Sequence, residues 1–486
     1  MRSKMSRRKK KILLLFPPIF ISPDVLLLGV QPKDVLAPLP VGLLSMASYL
    51  DRRHADVRVV SMHAFMEHVT VFNDGERKSY VRFAYGLKAV LDYLMKEYEP
   101  DVVGISTMVA VDEYSVKVLL KVLRLFYPDV RVFVGGNHAT FSFLRFLNNE
   151  YPPDAVVLGE GEQVLADMVK RDFRFEGKKI PGIVYKNNKG RNVNGGMATL
   201  LREDQFNFYV NYELLWLPAQ RDDSVLPLDA NVMYGRGCIF SCNFCTSPVM
   251  WNGVVRYKPI KRFISEIKYL VKKNARHITI WDDIINQSRP HFESLCKHLE
   301  HIEGVSFTSM VRMNMVTDRD LDLLQKAHIK FVDFGLETLD PVVLRNMNKP
   351  QNLGVVRDVC QKIIDRGMRV KVNVIFGHPG SSYASDMSTI VQLKKLCDEG
   401  LVYEVWGSLF MPIFGTLAGR DPRVRIVEPH VAKWNCRNVV CELVDEQGRV
   451  TYPRDEIFQV YKMYQKEIIG NLKKIHPDSF MAVSDE

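Results

Sequence analysis

Two long regions of the chain alternate short apolar runs with segments of helical periodicity. In the first region we predict five strands, at residues 11–16, 57–61, 101–107, 130–135 and 155–158. In the second we predict six, at residues 232–234, 277–281, 305–310, 331–335, 370–376 and 403–409. Repeated strand and helix units of this kind build parallel sheets. We therefore expect an α/β fold, with an N-terminal doubly wound, Rossmann-like sheet followed by a partial (β/α)6 TIM-like barrel.

The same patterns divide the 486 residues into four segments. Residues 11–170 and 230–421 are the two predicted domains. Residues 171–229 are predicted to be a linker that holds a hairpin, and residues 422–486 to be a C-terminal extension that covers the active site. In the first domain, Val116, Leu119, Leu120 and Leu123 lie on one face of a predicted helix, for which Asp112 is the expected cap.

The charge of the chain is concentrated at one end. The formal net charge is +10, but residues 1–11 carry seven basic side chains and no acidic one, which leaves +3 on the other 475 residues. The nearly balanced charge of these 475 residues argues against a large nucleic-acid-binding surface and favours a small-molecule substrate. The apolar run at residues 12–16 is cut by Pro17 and Pro18, so we interpret it as a strand rather than a signal peptide. With no run long enough to span a membrane, we expect a cytoplasmic protein.

All eight cysteines lie in the C-terminal part of the chain, at positions 238, 242, 245, 296, 360, 397, 436 and 441. Cys238, Cys242 and Cys245 share one short loop after the first strand of the predicted barrel, and thiolates favour zinc or an iron–sulfur cluster. Structural zinc needs a fourth ligand, and no His or Cys occurs in the next thirty residues. We therefore predict a [4Fe-4S] cluster with one open iron.

The other cysteines have simpler interpretations. Cys296, Cys360 and Cys397 lie at helical core spacing. Cys436 and Cys441 fall in the extension and leave open a second metal site, which we rank below a structural role.

The cysteine spacing, with Phe244 just before the third cysteine, resembles the signature of the radical S-adenosylmethionine (SAM) superfamily. Later segments resemble the landmarks of one large branch of that family. They are Phe334-Gly335-Leu336-Glu337-Thr338, Met347-Asn348-Lys349, Phe376-Gly377-His378-Pro379-Gly380 and Pro412-Ile413-Phe414-Gly415-Thr416. Thr338 replaces the usual Ser and Phe414 the usual second Pro.

Residues 11–170 resemble the cobalamin (B12)-binding-type domain that this branch carries. The resemblance places Ser106, Gly135 and Gly136, at the ends of predicted strands, near a cobalamin tail. Residues 17–40, which follow the first strand, contain no histidine that could bind cobalt. His63 follows the second strand, and we interpret it as a surface or core residue. Bound cobalamin would then be base-off, with no protein histidine on cobalt.

The resemblance implies three cofactors, namely the [4Fe-4S] cluster, SAM and, where the first domain is occupied, cobalamin. It also implies an external electron donor such as flavodoxin or ferredoxin. Five residues are expected at the SAM site: Phe244, Asp282, Arg312, Glu337 and Asn373. Arg312 would pair with the SAM carboxylate, and Glu337 would accept from its amino or ribose groups. The alternative for each charged residue is an ordinary ion pair across the barrel mouth.

Several function classes stay open. The leading one is a cobalamin-type radical SAM enzyme that methylates carbon in a small molecule or natural-product intermediate. The second is a radical SAM enzyme that forms or rearranges rings, or oxidises, without methyl transfer. A tRNA methylthiotransferase ranks lower, because that class holds a second cluster on N-terminal cysteines and residues 1–237 contain none. A non-enzymatic metal-binding scaffold ranks last.

Overall fold

The computed structural model describes residues 8–18, 39–50, 55–65, 76–175, 177–217, 229–434 and 437–476. The chain divides into two units, Met1–Asp223 and Ser224–Glu486. No helix in these described ranges is long and apolar enough to cross a membrane.

One sheet runs through the first unit. Its strands are β1 (Lys10–Phe16), β2 (Ala55–Ser61), β3 (Val102–Ser106), β4 (Arg131–Gly135), β5 (Ala155–Val157), β6 (Ile183–Lys186) and β7 (Asn192–Asn194). They follow the order β2-β1-β3-β4-β5-β6-β7. Strands β1 to β5 are parallel. The predicted parallel sheet is confirmed, and its order reverses between β1 and β3, which is where sheets of this type bind ligands.

Helices cover this sheet. They are α1 (Val41–Tyr49), α2 (Glu76–Tyr98), α3 (Asp112–Phe126), α4 (Asn137–Leu147) and α5 (Gly161–Lys170). Leu13 and Leu15 of β1 share one core with Leu87 and Leu91 of α2. An uninterrupted apolar run such as that in β1 is typical of a strand buried on both faces.

The predicted apolar face of α3 is confirmed, because Val116, Leu119, Leu120 and Leu123 are fully buried. The predicted cap is wrong. Asp112 is the first residue of the helix and Val111 takes the cap position. The Asp112 carboxylate instead accepts backbone hydrogen bonds from Met108 (2.8 Å) and Val109 (3.1 Å). It therefore holds the β3–α3 loop rather than the helix end.

The predicted hairpin exists, but it is part of the first sheet. Strands β6 and β7 pair antiparallel with each other, and β6 pairs antiparallel with β5. This part of residues 171–229 is therefore not a simple linker. Its turn carries Gly190 in a left-handed conformation (φ 71°), and the Asn187 side chain accepts from the backbone of Lys189 and Arg191 at 3.0 Å.

The second unit contains the six predicted parallel strands. They are β8 (Asp229–Val232), β11 (His277–Ile280), β12 (Ser306–Met310), β13 (Ile329–Glu337), β14 (Arg369–Phe376) and β15 (Glu404–Leu409), with a short antiparallel pair, β9 (Gly235–Arg236) and β10 (Arg256–Tyr257), after β8. The six follow the order β15-β14-β13-β12-β11-β8. This is the predicted partial barrel.

Helices connect these strands. They are α6 (Ser247–Trp251), α7 (Ile260–Lys272), α8 (Arg289–Leu299), α9 (Asp318–Lys326), α10 (Pro341–Asn346), α11 (Val356–Ile364) and α12 (Tyr383–Asp398). Cys296, Cys360 and Cys397 are buried on α8, α11 and α12. Burial raises the pKa of each of these thiols to about 12. Their predicted core position is confirmed.

The C-terminal extension is folded onto the barrel. It contains the antiparallel strands β16 (Val424–Ile426), β17 (Cys441–Val444) and β18 (Val450–Tyr452), and the helices α13 (Arg454–Tyr464) and α14 (Gly470–Ile475). The Tyr464 hydroxyl donates to the carbonyl of Val405 and accepts from the Gly407 amide, both at 2.8 Å. The Trp434 ring stacks on Phe414 with 5.4 Å between ring centroids.

Candidate functional site

The three loop cysteines lie at one cavity. The loop follows β8, and Cys238, Cys242 and Cys245 all contribute to the wall of a cavity of about 420 Å³. The other walls come from the carboxyl ends of β11, β12 and β13 and from residues 349–351. This is the edge of a parallel barrel at which catalytic sites are built. No described residue after Gln351 lines the cavity, and cover by the extension stays a prediction.

Burial raises the pKa of Cys238 to about 11 and that of Cys245 to about 12, with smaller contributions from Asp283 and from Cys242. Among the described residues, no three His, Cys, Asp or Glu side chains converge on a point that could hold a single metal ion. A [4Fe-4S] cluster does not need ligands that converge on one point, since each thiolate binds a different iron atom. Three thiols on one cavity wall fit that group better than a closed zinc site.

One side of the cysteine loop is held by residues that follow β11. The buried Asp282 carboxylate accepts from the backbone amides of Tyr234 and Gly235, both at 2.7 Å. Gln287 accepts from the Ile239 amide at 3.1 Å and donates to the Gly237 carbonyl at 2.8 Å. Burial raises the pKa of Asp282 to about 7. Asp282 was expected at the SAM site. It lines the cavity, and its hydrogen bonds fix the start of the loop.

The other side is held through Asn243. Its backbone amide donates to the Met347 carbonyl at 3.0 Å, and its backbone carbonyl accepts from the Ala418 amide at 2.9 Å. Its side chain donates to the Asn346 carbonyl at 2.6 Å and lies 3.0 Å from Nε2 of His378. Two of the landmark segments, those with Met347 and His378, thus contact the cysteine loop directly.

Arg312 and Glu337 line the cavity with Phe244, as expected. The Arg312 guanidinium lies 4.3 Å from the centroid of the Phe240 ring and donates to the Pro350 carbonyl at 2.8 Å. Glu337 forms a buried ion pair with Lys349. Glu337 also has a left-handed backbone (φ 62°), which is rare for a residue other than glycine and marks a position that its surroundings fix.

Asn373 is not among the residues that line the cavity. Its side chain donates to Oδ1 of Asp333 at 2.7 Å, and Asp333 does line the cavity. Burial raises the pKa of Asp333 to about 6. Sequence reasoning missed Asp333. The available signal was the two-residue period of β13, which places Asp333 on the same face as Gly335.

In the first unit, Ser106 ends β3 and Gly135 ends β4, as predicted. Gly136 is left-handed (φ 102°), and a Cβ there would lie 2.4 Å from the carbonyl oxygen of Thr107. A Cβ on Gly135 would lie 3.3 Å from Cβ of Val157. The space that both glycines leave is therefore used by the protein itself. The expectation that they lie near cobalamin therefore rests on their position at the carboxyl ends of the parallel strands.

His63 lies in a short turn after β2 and packs against Phe16, with ring centroids 5.7 Å apart. Burial lowers its pKa to about 4, so the ring is neutral at pH 7. Of the two extension cysteines, Cys441 is buried in β17, where burial raises its pKa to about 12. Cys436, the other residue of the proposed second metal site, lies outside the described residues.

The chain matches two families, each within one unit. Residues 38–169 match the family described as the B12 binding domain. Residues 232–391 match the radical SAM superfamily and include the cysteine loop and its cavity. The chain belongs to the radical SAM superfamily, with an N-terminal B12-binding domain. This radical SAM protein thus has the two domains that imply a [4Fe-4S] cluster, SAM and cobalamin.

Known relatives of this radical SAM protein include both methyltransferases and cyclases. It is 27% identical to an uncharacterized methyltransferase of Pyrococcus horikoshii over 365 residues, which are 74% of this chain and 73% of the relative. It is 26% identical to the anaerobic magnesium-protoporphyrin IX monomethyl ester cyclase of Rubrivivax gelatinosus, covering 57% of this chain and 51% of the cyclase.

The fold of this radical SAM protein is also similar to a solved structure. The radical SAM methyltransferase TsrM from Kitasatospora setae, solved with cobalamin and a [4Fe-4S] cluster, has a TM-score of 0.64 and 15% identity. The similarity covers 96% of this chain and 89% of TsrM. At this identity the similarity establishes the fold.

Proposed function

We propose that this protein is a methyltransferase that adds a methyl group to carbon in a small molecule or natural-product intermediate. The observation that carries the proposal is the presence of both domains in one chain, with three thiols on the wall of the barrel cavity. When bound, the cluster and cobalamin would supply the electron that cleaves SAM and a carrier for its methyl group. The similarity to a methyltransferase over three quarters of the chain supports the methyl-transfer outcome.

The cavity residues would bind and orient SAM. Cys238, Cys242 and Cys245 would hold the cluster. Arg312 has further guanidinium donors besides the one bound to Pro350, and no described carboxylate pairs with them, so they suit the SAM carboxylate. Glu337 is held in place by Lys349 and keeps acceptor capacity for an amino or ribose group. Phe244 and Asp282 are proposed to complete this side of the site.

In the first unit, cobalamin would bind beyond the carboxyl ends of the parallel strands, with Ser106, Gly135 and Gly136 near its tail. His63 is neutral and packed against Phe16, and we propose that it does not bind cobalt. Electrons would come from a small donor such as flavodoxin or ferredoxin.

The test follows the methyl group of SAM. The protein is reconstituted anaerobically with iron, sulfide and hydroxocobalamin, reduced, and given SAM with a deuterated methyl group. Methyl transfer predicts deuterated methyl on the extracted cobalamin together with S-adenosylhomocysteine. Replacing all three loop cysteines by Ala should abolish 5′-deoxyadenosine formation. Formation of 5′-deoxyadenosine without a labelled methyl group on cobalamin would contradict methyl transfer.

That last result would favour the second candidate, a ring-forming, rearranging or oxidising radical SAM enzyme. The similarity to the cyclase of Rubrivivax gelatinosus supports this alternative, although this chain spans only about half the length of that cyclase. A tRNA methylthiotransferase is the weakest candidate, since residues 1–237 supply no cysteine for a second cluster.

A further inference from the structure

One face of β13, β14 and β15 is polar. Along these strands Val332, Val372 and Val405 are buried, and the residues between them belong to the opposite face. The opposite face carries the polar or charged residues Asp333, Arg369, Lys371, Asn373 and Glu404, together with Phe331, Gly335, Ile375 and Trp406. The interior of a complete (β/α)8 barrel is instead filled by branched apolar side chains. A polar interior face indicates that this part of the barrel takes up a polar ligand.

Most charges on this face are already paired. Nζ of Lys371 lies 2.7 Å from Oε2 of Glu404, and the Trp406 indole donates to the other oxygen of Glu404. Asp333 differs. Its Oδ1 accepts from the Asn373 amide at 2.7 Å, and no lysine, arginine or histidine among the described residues lies within ion-pair distance of its carboxylate.

The unpaired carboxylate of Asp333 lines the cavity that also contains the cysteines. Lys371 and Glu404 pair with each other and do not line the cavity, so the charge of the Asp333 carboxylate is the one that this face gives to the cavity wall, and it favours a cation. Burial raises the pKa of Asp333 to about 6, although the charge of Lys371 and the hydrogen bond from Asn373 act in the opposite direction. Trp406, which is 57% exposed, lies on the same face two strands away. An unpaired carboxylate on a cavity wall suits a protonated nitrogen, which it can bind through a charge-assisted hydrogen bond.

We infer that Asp333 binds a protonated amine of the substrate, so that the substrate class is small molecules with a basic amine. This inference rests on the proposed function, because it takes the cavity to be the place of reaction. SAM also carries an amino group. Family resemblance places SAM at Glu337, which is the last residue of β13, and Asp333 lies four residues earlier in the strand, deeper in the barrel.

The test compares two probes that differ only in the charged group, 2-phenylethylamine and 2-phenylethanol. Binding to the reconstituted full-length protein is measured by saturation-transfer NMR, with SAM present. The amine should bind about tenfold more tightly than the alcohol. Asp333→Asn should remove most of this preference. Asp322→Asn is the matched control, because it deletes a carboxylate on α9 that is 57% exposed and paired with Arg366.

Three results would overturn the inference: equal binding of amine and alcohol by the unchanged protein, an unchanged preference in Asp333→Asn, or a loss of SAM binding rather than amine binding in that variant. The same samples report on the proposed function through 5′-deoxyadenosine after reduction. SAM cleavage without amine preference contradicts only the substrate class. If the protein prefers the amine and holds a full cluster but does not cleave SAM, the proposed function is contradicted. The amine site is then still supported.

Discussion

Nε2 of His378 donates a hydrogen bond to Oδ1 of Asn243 across 3.0 Å. The direction follows from Asn243, whose side-chain nitrogen already donates to the Asn346 carbonyl, so that Oδ1 is the acceptor. His378 is fully buried at the end of β14, and Asn243 is one of the two residues between Cys242 and Cys245. A strand end of the barrel therefore holds the segment that is predicted to bind the cluster.

His378→Phe should loosen the cysteine loop. The substitution keeps an aromatic ring beside Phe244 and Phe410 but removes the donor to Asn243. We expect a loss of about 1 kcal/mol in the free energy of unfolding and fewer irons retained per chain after gel filtration. His378→Gln, which can still donate, is the matched variant and should retain more iron. Equal iron content and an equal EPR spectrum in all three proteins would show that the bond does not position the loop.

Asp386 should make stability depend on pH. Its carboxylate is buried and accepts from the Gly377 amide at 2.8 Å and from the Tyr452 hydroxyl at 3.0 Å. Burial raises its pKa from 3.8 to about 7. Between these values the folded chain keeps a proton that the unfolded chain has lost, so the stabilising contribution is full below pH 4 and is lost as the pH rises to about 7.

Asp386→Asn should therefore flatten the pH dependence of the free energy of unfolding by an amount on the order of a few kcal/mol. Tyr452→Phe removes a donor that favours the ionised carboxylate, so it should move the upper end of the dependence to higher pH. Urea unfolding between pH 4 and pH 8 measures both. If the free energy of unfolding changes with pH equally in the unchanged protein and in Asp386→Asn, Asp386 is not the group responsible. Asp282 contributes in the same direction, and some slope should remain.

Gly136→Ala should destabilise the first unit. Its Cβ would lie 2.4 Å from the Thr107 carbonyl oxygen and 2.9 Å from the Thr107 nitrogen, both of which are backbone atoms. The left-handed φ adds strain, and we expect a cost of about 1–3 kcal/mol. Gly42→Ala is the control, because nothing lies within 4 Å of its Cβ position, inside helix α1. Thermal unfolding that ranks the two variants equally would contradict this explanation of the paired glycines.

The sequence predicted the parallel strands of both sheets because apolar runs of three to nine residues separated by amphipathic helices leave few alternatives. The cysteine loop was predicted because its ligands are adjacent in sequence. The roles of residues that contact distant parts of the chain were harder to predict. Asp112 carries the residue type of a helix cap but binds a loop, and Asn373 reaches the site only through Asp333. Both outcomes depend on which strand lies next to which, and no local pattern contains that information.

His63→Ala should leave cobalamin binding intact. His63 is neutral, its buried Nε2 has no hydrogen-bond partner among the described residues, and it packs against Phe16. We expect a base-off absorption spectrum in the unchanged protein and in the variant, with affinities that agree within about twofold. His63→Phe, which fills the same space, controls for lost packing. Loss of the cobalamin signal in both variants, with the fold intact, would identify His63 as a cobalt ligand and contradict the proposed histidine-free site.

The central claim is that the loop of Cys238, Cys242 and Cys245 holds a cluster that cleaves SAM. The most direct measurement is the amount of 5′-deoxyadenosine formed when the anaerobically reconstituted protein is reduced with dithionite in the presence of SAM. We predict about four irons per chain and 5′-deoxyadenosine in the unchanged protein, and loss of both in Cys→Ala variants at each of the three positions. Full iron content with no 5′-deoxyadenosine, or stoichiometric zinc in place of iron, would contradict the account.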